Sequence, residues 1–411
     1  MKTKRVNRNT IYIFIIIICL LIIACLTYFI FIPMYKKHKE EQRIKNATII
    51  VNLKQDLTAS FGEEKKISDY IESINGELIQ DQKITTNELG KVEISFEYIN
   101  DENIKVPYSY TIEVKDTTPP LIWLSNSYNV TVGYNGNIVE DIMCGDDLDD
   151  NPLCEIVGEY NTNQIGSYNV IYRATDKAGN VTEKPFTLNV TQPSKTTYQN
   201  PAKRPFQEYI DTYKNEHTSI GIDVSEWQGN IDYDQVKAAG VEFAIIRIGG
   251  TKGINGDYFV DKYFKQNLEG FKRVGIPVGV YFYTYSNSKE KSIENAEWII
   301  NTLAGEELDL PIAYDWENFS SYNDFHLSFY NLTNNAISFM DTVEKAGYKG
   351  MLYGSKNYLD KVWMKTDYPI WLAHYTREPL DYSKEAKIWQ VSSIASVPGI
   401  NAYVDVDIMY K

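Results

Sequence analysis

The sequence predicts a multidomain protein: an N-terminal transmembrane helix, two small all-β sandwiches and a C-terminal irregular α/β barrel. Three observations carry that expectation. An uncharged apolar stretch runs from Ile11 to Pro33. A β-patterned segment recurs 76 residues further on, from Thr86 to Thr162. From about residue 218, short apolar runs alternate with helical patterns. The 411 residues have room for several domains, and 43% hydrophobic against 23% charged residues suits packed cores. A net charge of −14 argues against nucleic acid, whose phosphates need a basic face. It offers an anionic cell surface no attraction either, so any wall binding has to come from shape and stacking.

The first element spans residues 1–40. About 20 apolar residues cross a bilayer. Lys2, Lys4, Arg5 and Arg8 precede the stretch, and Lys36, Lys37 and Lys39 follow it beside Glu40 and Glu41. The positive-inside rule places the short N-terminus in the cytoplasm. The expected location is a single-pass cell-membrane protein with everything after residue 40 extracellular. Ile22-Ile23-Ala24-Cys25 is an alternative, as a loose lipoprotein box, and a cleaved signal peptide is another.

The β modules are expected at 45–116 and 117–192. Thr86-Asn87-Glu88-Leu89-Gly90 recurs as Thr162-Asn163-Gln164-Ile165-Gly166, and Tyr110 to Val114 maps onto Phe186 to Val190 at the same offset. Such a period signals tandem modules. Val92, Ile94 and Phe96, like Tyr168, Val170 and Tyr172, alternate with polar residues, as half-buried strands do. Asp116-Thr117-Thr118-Pro119-Pro120 separates the copies, because proline breaks a ladder. With that junction, Ala174-Thr175-Asp176-Lys177-Ala178-Gly179-Asn180 resembles the immunoglobulin-like modules of bacterial surface proteins, which implies a spacer role, with carbohydrate or protein binding as the alternative. Cys144 and Cys154 bracket a short loop and are expected to form a disulfide in an oxidising compartment. The acids Asp146, Asp147, Asp149 and Asp150 in that loop lack the spacing of a calcium-binding loop. Residues 193–217 read as a polar linker, with a short helix over part of Phe206 to Tyr213.

The barrel is expected over 218–411. Eight runs read as buried strands: Ile220–Val224, Phe243–Arg247, Val278–Phe282, Pro311–Asp315, Met351–Tyr353, Ile370–Ala373, Ile388–Val391 and Tyr403–Asp407. Alternating β and α elements suggest a parallel barrel with function at the C-terminal ends of its strands. Asp223, Asp315, Glu317 and Asp405 all fall near strand ends. Asp315 and Glu317 are two apart, so they point to the same side. Each raises the other's affinity for a proton, which lets one serve as an acid near neutral pH. Hydrolysis of a glycosidic bond needs such an acid.

These residues resemble a known family. Gly221-Ile222-Asp223-Val224-Ser225-Glu226-Trp227-Gln228-Gly229 is similar to the opening motif of glycoside hydrolase family 25 lysozymes, and Asp315-x-Glu317 to that family's acidic pair. Gly354-Ser355, Ile370 to Tyr375, Trp389-Gln390, Val397 to Ile400 and Val404-Asp405 continue the likeness in order. The resemblance implies a flattened, TIM-like barrel and a muramidase cutting the β-1,4 bond between N-acetylmuramic acid and N-acetylglucosamine of peptidoglycan. It implies Glu317 as general acid, Asp315 steadying the 2-acetamido group, and Asp223 and Asp405 completing the site.

A substrate-assisted route suits a pair on one strand, while Asp223 or Asp405 acting as a base towards water is an alternative. Asp407 competes with Asp405 for the closing position. Tyr283, Tyr353, Trp371 and Tyr375 are candidates for stacking on sugars, and Gln390 for hydrogen bonding to them. No cofactor and no metal are expected: the histidines (His38, His217, His326, His374) show no ligand spacing. The rival reading is a catalytically inactive glycan-binding or envelope structural protein.

Overall fold

The computed structural model describes residues 18, 27–194, 199–376, 378, 380 and 386–411. Most of the expected membrane segment, Ile11–Pro33, and the Cys25 box lie outside them. Among the described residues, no helix is long and apolar enough to cross a membrane. The helix Ile32–Lys45 buries none of its residues and carries Lys36, Lys37, Lys39, Glu40, Glu41, Arg43 and Lys45. Each such charge costs about 2.5–3.5 kcal/mol at mid-bilayer. The expected transmembrane helix, and the single-pass location built on it, are therefore corrected.

Two compact units divide between Thr117 and Thr118. In the first, Gly90–Asn100 and Lys105–Lys115 pair antiparallel with Gly90 opposite Val114. Thr58–Ser60 adds on parallel and Gly76–Leu78 antiparallel. Every second residue of the long pair, including Ile94, Phe96, Tyr98, Ile112 and Val114, enters one core.

The second unit begins with a β module of the same build. Gly166–Thr175 pairs with Val181–Thr191, and Gly166 lies opposite Val190. That register is the first module's, displaced by 76 residues along both strands. Ser127–Thr131 pairs parallel to the second strand, as Thr58–Ser60 does in the first module. Cys144 and Cys154 are joined by a disulfide.

The rest of the second unit is a closed barrel. Its strands are β1 (Thr218–Val224), β2 (Phe243–Thr251), β3 (Val278–Tyr283), β4 (Ile312–Asp315), β5 (Gly350–Ser355), β6 (Ile370–Ala373), β7 (Ala386–Ser396) and β8 (Val404–Tyr410). Among the described residues these eight follow one another round the ring, and β8 closes it between β7 and β1. Neighbours from β1 to β7 run parallel. β8 is antiparallel to both of its neighbours, which corrects the expectation of a parallel barrel. The cause is chain length: only residues 397–403 join β7 to β8, and a parallel crossover needs a dozen or more.

Strand alternation makes two layers. Phe243, Ile245, Ala313, Met351, Trp371 and Ile388 fill the barrel. Ile246, Phe282, Tyr314 and Leu352 face outward, under the helices Phe264–Arg273, Lys289–Leu303 and Phe329–Lys345. The helix Phe206–Tyr213 buries Phe206 and Tyr209, and Tyr209 shares a hydrogen bond with Ser392 of β7. Gly221 makes room for Phe243: a Cβ there would lie 2.5 Å from the ring. Gly221→Ala is expected to destabilise the barrel by about 1–3 kcal/mol through overpacking. Thermal unfolding reads this as a lower Tm, and an unchanged Tm would mean that Phe243 yields freely.

Candidate active site

Alternation along β4 sets the central pair. Ala313 lies in the barrel's interior core and Tyr314 and Trp316 in the outer one, so Asp315 and Glu317 share the inner side at the mouth. Trp316 anchors them from behind. It is fully buried, donates from Nε1 to the Ser286 carbonyl at 3.2 Å, and packs edge-on against Phe319 and Phe325 with ring centres 4.9 Å away. Asp315 is buried, and its Oδ1 has no donor. Its carboxyl abuts that of Glu317. Burial and mutual repulsion both favour a proton on this pair. Glu317 is exposed by surface area although protein surrounds it closely, as befits a side chain at the bottom of an open bowl.

The opposite wall comes from β1 and β8, where Asp223 pairs with Asp405 across the ladder. Asp223 is buried and Asp405 half-buried. Gln390 of β7 donates from Nε2 to Asp223 Oδ2 at 2.7 Å. Its Oε1 accepts from the hydroxyls of Tyr353 and Tyr375, each at 3.0 Å. Asp407, two residues deeper on β8, is fully buried and accepts from Trp371 Nε1 at 2.8 Å. It also meets the Asp223 carboxyl. Asp405 thus sits at the mouth and Asp407 beneath it in the floor.

Electrostatics follow from this crowding. Burial, then Glu317's charge, push Asp315 well above the usual carboxylate range. Burial raises Glu317 as well. Burial and Asp407 drive Asp223 well up. Burial, with repulsion from Asp223 and Glu317, lifts Asp405 to about 9. Burial lifts Asp407 to about 8 against the pull of the Trp371 hydrogen bond.

The candidate binding residues divide by depth. Tyr375 is 58% exposed, and Tyr283 is half-buried with its hydroxyl near Asn318 Oδ1. Trp371, Tyr353 and Gln390 are buried and form the layer that braces the acids. Trp371 therefore offers its indole to Asp407 rather than a ring face to the groove.

Sequence reasoning passed over two neighbours of the pair. Arg247 continues the inward series Phe243-Ile245 on β2, and its guanidinium draws Asp315 down, against the other influences. It is held by Asp261 and Glu226, each at 2.7 Å. Tyr281 precedes Tyr283 on the same face of β3 and packs edge-on against Trp371. An arginine ending an apolar strand, and a tyrosine two residues before a chosen one, were the available signals.

Residues 222–400 match the model of glycosyl hydrolases family 25. Over that span the chain is similar to glycosyl hydrolases of family 25. Asp223, Asp315 and Glu317 fall inside the matched span, and Asp405 and Asp407 just beyond it. The chain is 29% identical over 189 residues to the autolytic lysozyme of Clostridium acetobutylicum, covering 46% of this chain and 54% of that protein. It thus spans about half the length of that relative. Lysozyme M1 of Streptomyces globisporus is 28% identical over 207 residues, or 45% of this chain and 65% of that one. A family 25 glycosyl hydrolase structure from Bacillus anthracis aligns at a TM-score of 0.41 and 23% identity, covering 52% of this chain and 95% of that one.

Proposed function

We propose that the protein is a peptidoglycan hydrolase that cleaves the β-1,4 bond between N-acetylmuramic acid and N-acetylglucosamine. The observation that carries the reading is the Asp315/Glu317 pair on the inner side of the barrel mouth, with Glu317 reaching solvent and Asp315 buried beneath it. Relatives named as lysozymes give the substrate class. In this reading residues 45–116 and 117–192 are immunoglobulin-like modules, 193–217 a linker and 218–411 the catalytic domain.

Glu317 is the acid that protonates the leaving oxygen. Asp315 shares a hydrogen bond with it and, once ionised, steadies positive charge developing near the acetamide. Asp405 keeps its proton over the neutral range, up to about pH 9, so it donates hydrogen bonds rather than acting as a base. That favours the substrate-assisted route, in which the acetamide oxygen attacks. Tyr375 and Tyr283 supply ring faces for the sugars. Incubating the full chain with purified peptidoglycan tests the reading. Mass spectrometry should show products ending in reducing N-acetylmuramic acid. Binding without new reducing ends would favour the inactive glycan-binding protein, and reducing N-acetylglucosamine ends would mean a different bond.

A further inference from the structure

The segment carrying Glu317 does not stand on the barrel alone. After β4 the chain forms a short 3-10 turn, Phe319–Phe325, then a left-handed residue, His326, then the helix Phe329–Lys345. The second β module grips this stretch along its length. Asn323 Oδ1 accepts from the Cys144 amide at 3.0 Å, and its Nδ2 faces the carbonyls of Ile142, Glu140 and Val139 at 2.9, 3.1 and 3.4 Å. One barrel side chain thereby engages four backbone groups of the module, its Oδ1 accepting from one amide and its two amide hydrogens shared among three carbonyls.

Further on, the module caps the helix. A helix starts with N–H groups that lack partners in its own turns. Here Ser328 N donates to Asp150 Oδ1 at 2.7 Å, Phe329 N to the Asp146 carbonyl at 2.8 Å, and Tyr330 N to the Asp147 carbonyl at 3.0 Å. Those acceptors lie in the loop closed by the Cys144–Cys154 disulfide. Gly145 sits so close that a Cβ would meet the rings of Tyr322 and Phe329 at 2.8 Å. Met143 enters the barrel's outer core. Trp123 packs on Tyr358, whose ring stacks on Phe319 at 3.5 Å. Phe319, Tyr322 and Phe325 in turn surround Trp316, between the two acids.

We infer that the second β module is a fixed buttress behind the active site, and that Asn323 is the positioning residue through which the module's segment 139–144 holds the chain after Glu317 in place. The inference rests on the hydrolase reading of the same site. Placement errors of about 1 Å far from the chemistry can cost 10²-fold in rate. Loosening the clamp should therefore lower kcat more than it raises KM.

The test uses the full chain and soluble peptidoglycan glycan fragments. Asn323→Ala is expected to lower kcat on the order of tenfold with KM changed by less than about twofold. Hydrogen exchange should quicken across residues 319–328 while β1 to β3 stay protected. Asn323→Asp keeps the acceptor for Cys144 N but loses the donor, and should fall between. Should Asn323→Ala fail to fold, Asp150→Ala, which removes a helix cap from the module side, reads the same link. The inference is overturned if exchange quickens and kcat stays within about twofold of wild type, or if kcat falls only with the folded fraction. A wild-type chain that cuts nothing sinks the hydrolase reading and this inference with it. A wild type and variants that cut equally fast sink the inference alone.

Discussion

Glu317→Gln is expected to lower kcat on peptidoglycan by about 10²–10⁴-fold, the usual contribution of a positioned general acid. Glutamine keeps the length and planarity of the side chain, and its amide can donate to the Asp315 carboxyl that Glu317 now touches. Glu317 is exposed, so the change leaves no cavity and no stranded charge. Tm and affinity for glycan fragments should therefore stay close to wild type, which separates lost chemistry from lost fold. Reducing-end release and product masses from matched wild-type and variant digests check both halves. A variant retaining more than about a third of wild-type kcat would move the acid role elsewhere, and Asp315 would be the next residue to test.

Stability should fall as pH rises across the neutral range, and Asp407 should be a main cause. Burial raises Asp407 to about 8 and Asp405 to about 9, and raises Asp223 and Asp315 as well. Below about pH 4 such groups are protonated in folded and unfolded chains alike, and their stabilising contribution is complete. Above that, the unfolded chain releases protons that the folded barrel keeps. Each group then removes stability at about 1.4 kcal/mol per pH unit until its folded pKa is passed. For Asp407 the window runs from about pH 4 to about 8.

Asp407→Asn deletes this titration while conserving shape. The amide oxygen still accepts from Trp371 Nε1, and the amide nitrogen can donate to Asp223. The variant should show a flatter Tm-against-pH curve between pH 5 and 9. Its Tm should exceed that of wild type at pH 9 and converge with it towards pH 5. Parallel curves would mean that Asp407 is ionised in the folded barrel at neutral pH.

How far the sequence reached varied with the kind of interaction. Alternation and run length placed the eight barrel strands, because period-two burial is a local property of each segment. The 76-residue repeat pointed to tandem modules, and the structure adds that they share one register, since equal spacing along two strands leaves their pairing unchanged. Asp315 and Glu317 were legible as a pair for the same reason, being two apart on one strand. The apolar N-terminal run, by contrast, suggested a membrane crossing that no described helix makes.

Relations between distant segments were beyond reach. Asp405 and Asp407 are alike in sequence, and only closure of the ring, with Asp223 opposite one and Trp371 bonded to the other, put one at the mouth and one in the floor. The reversal of β8 depended on a seven-residue connection whose meaning appears only once its strands have partners. The grip of residues 139–151 on the chain after Glu317 joins residues some 180 positions apart. The chain by itself thus determined which residue types could do acid chemistry and on which strands they lie. The folded molecule alone decided which of them lie side by side, which are buried and what holds them still, because burial and hydrogen bonding are set by neighbours that no local pattern names.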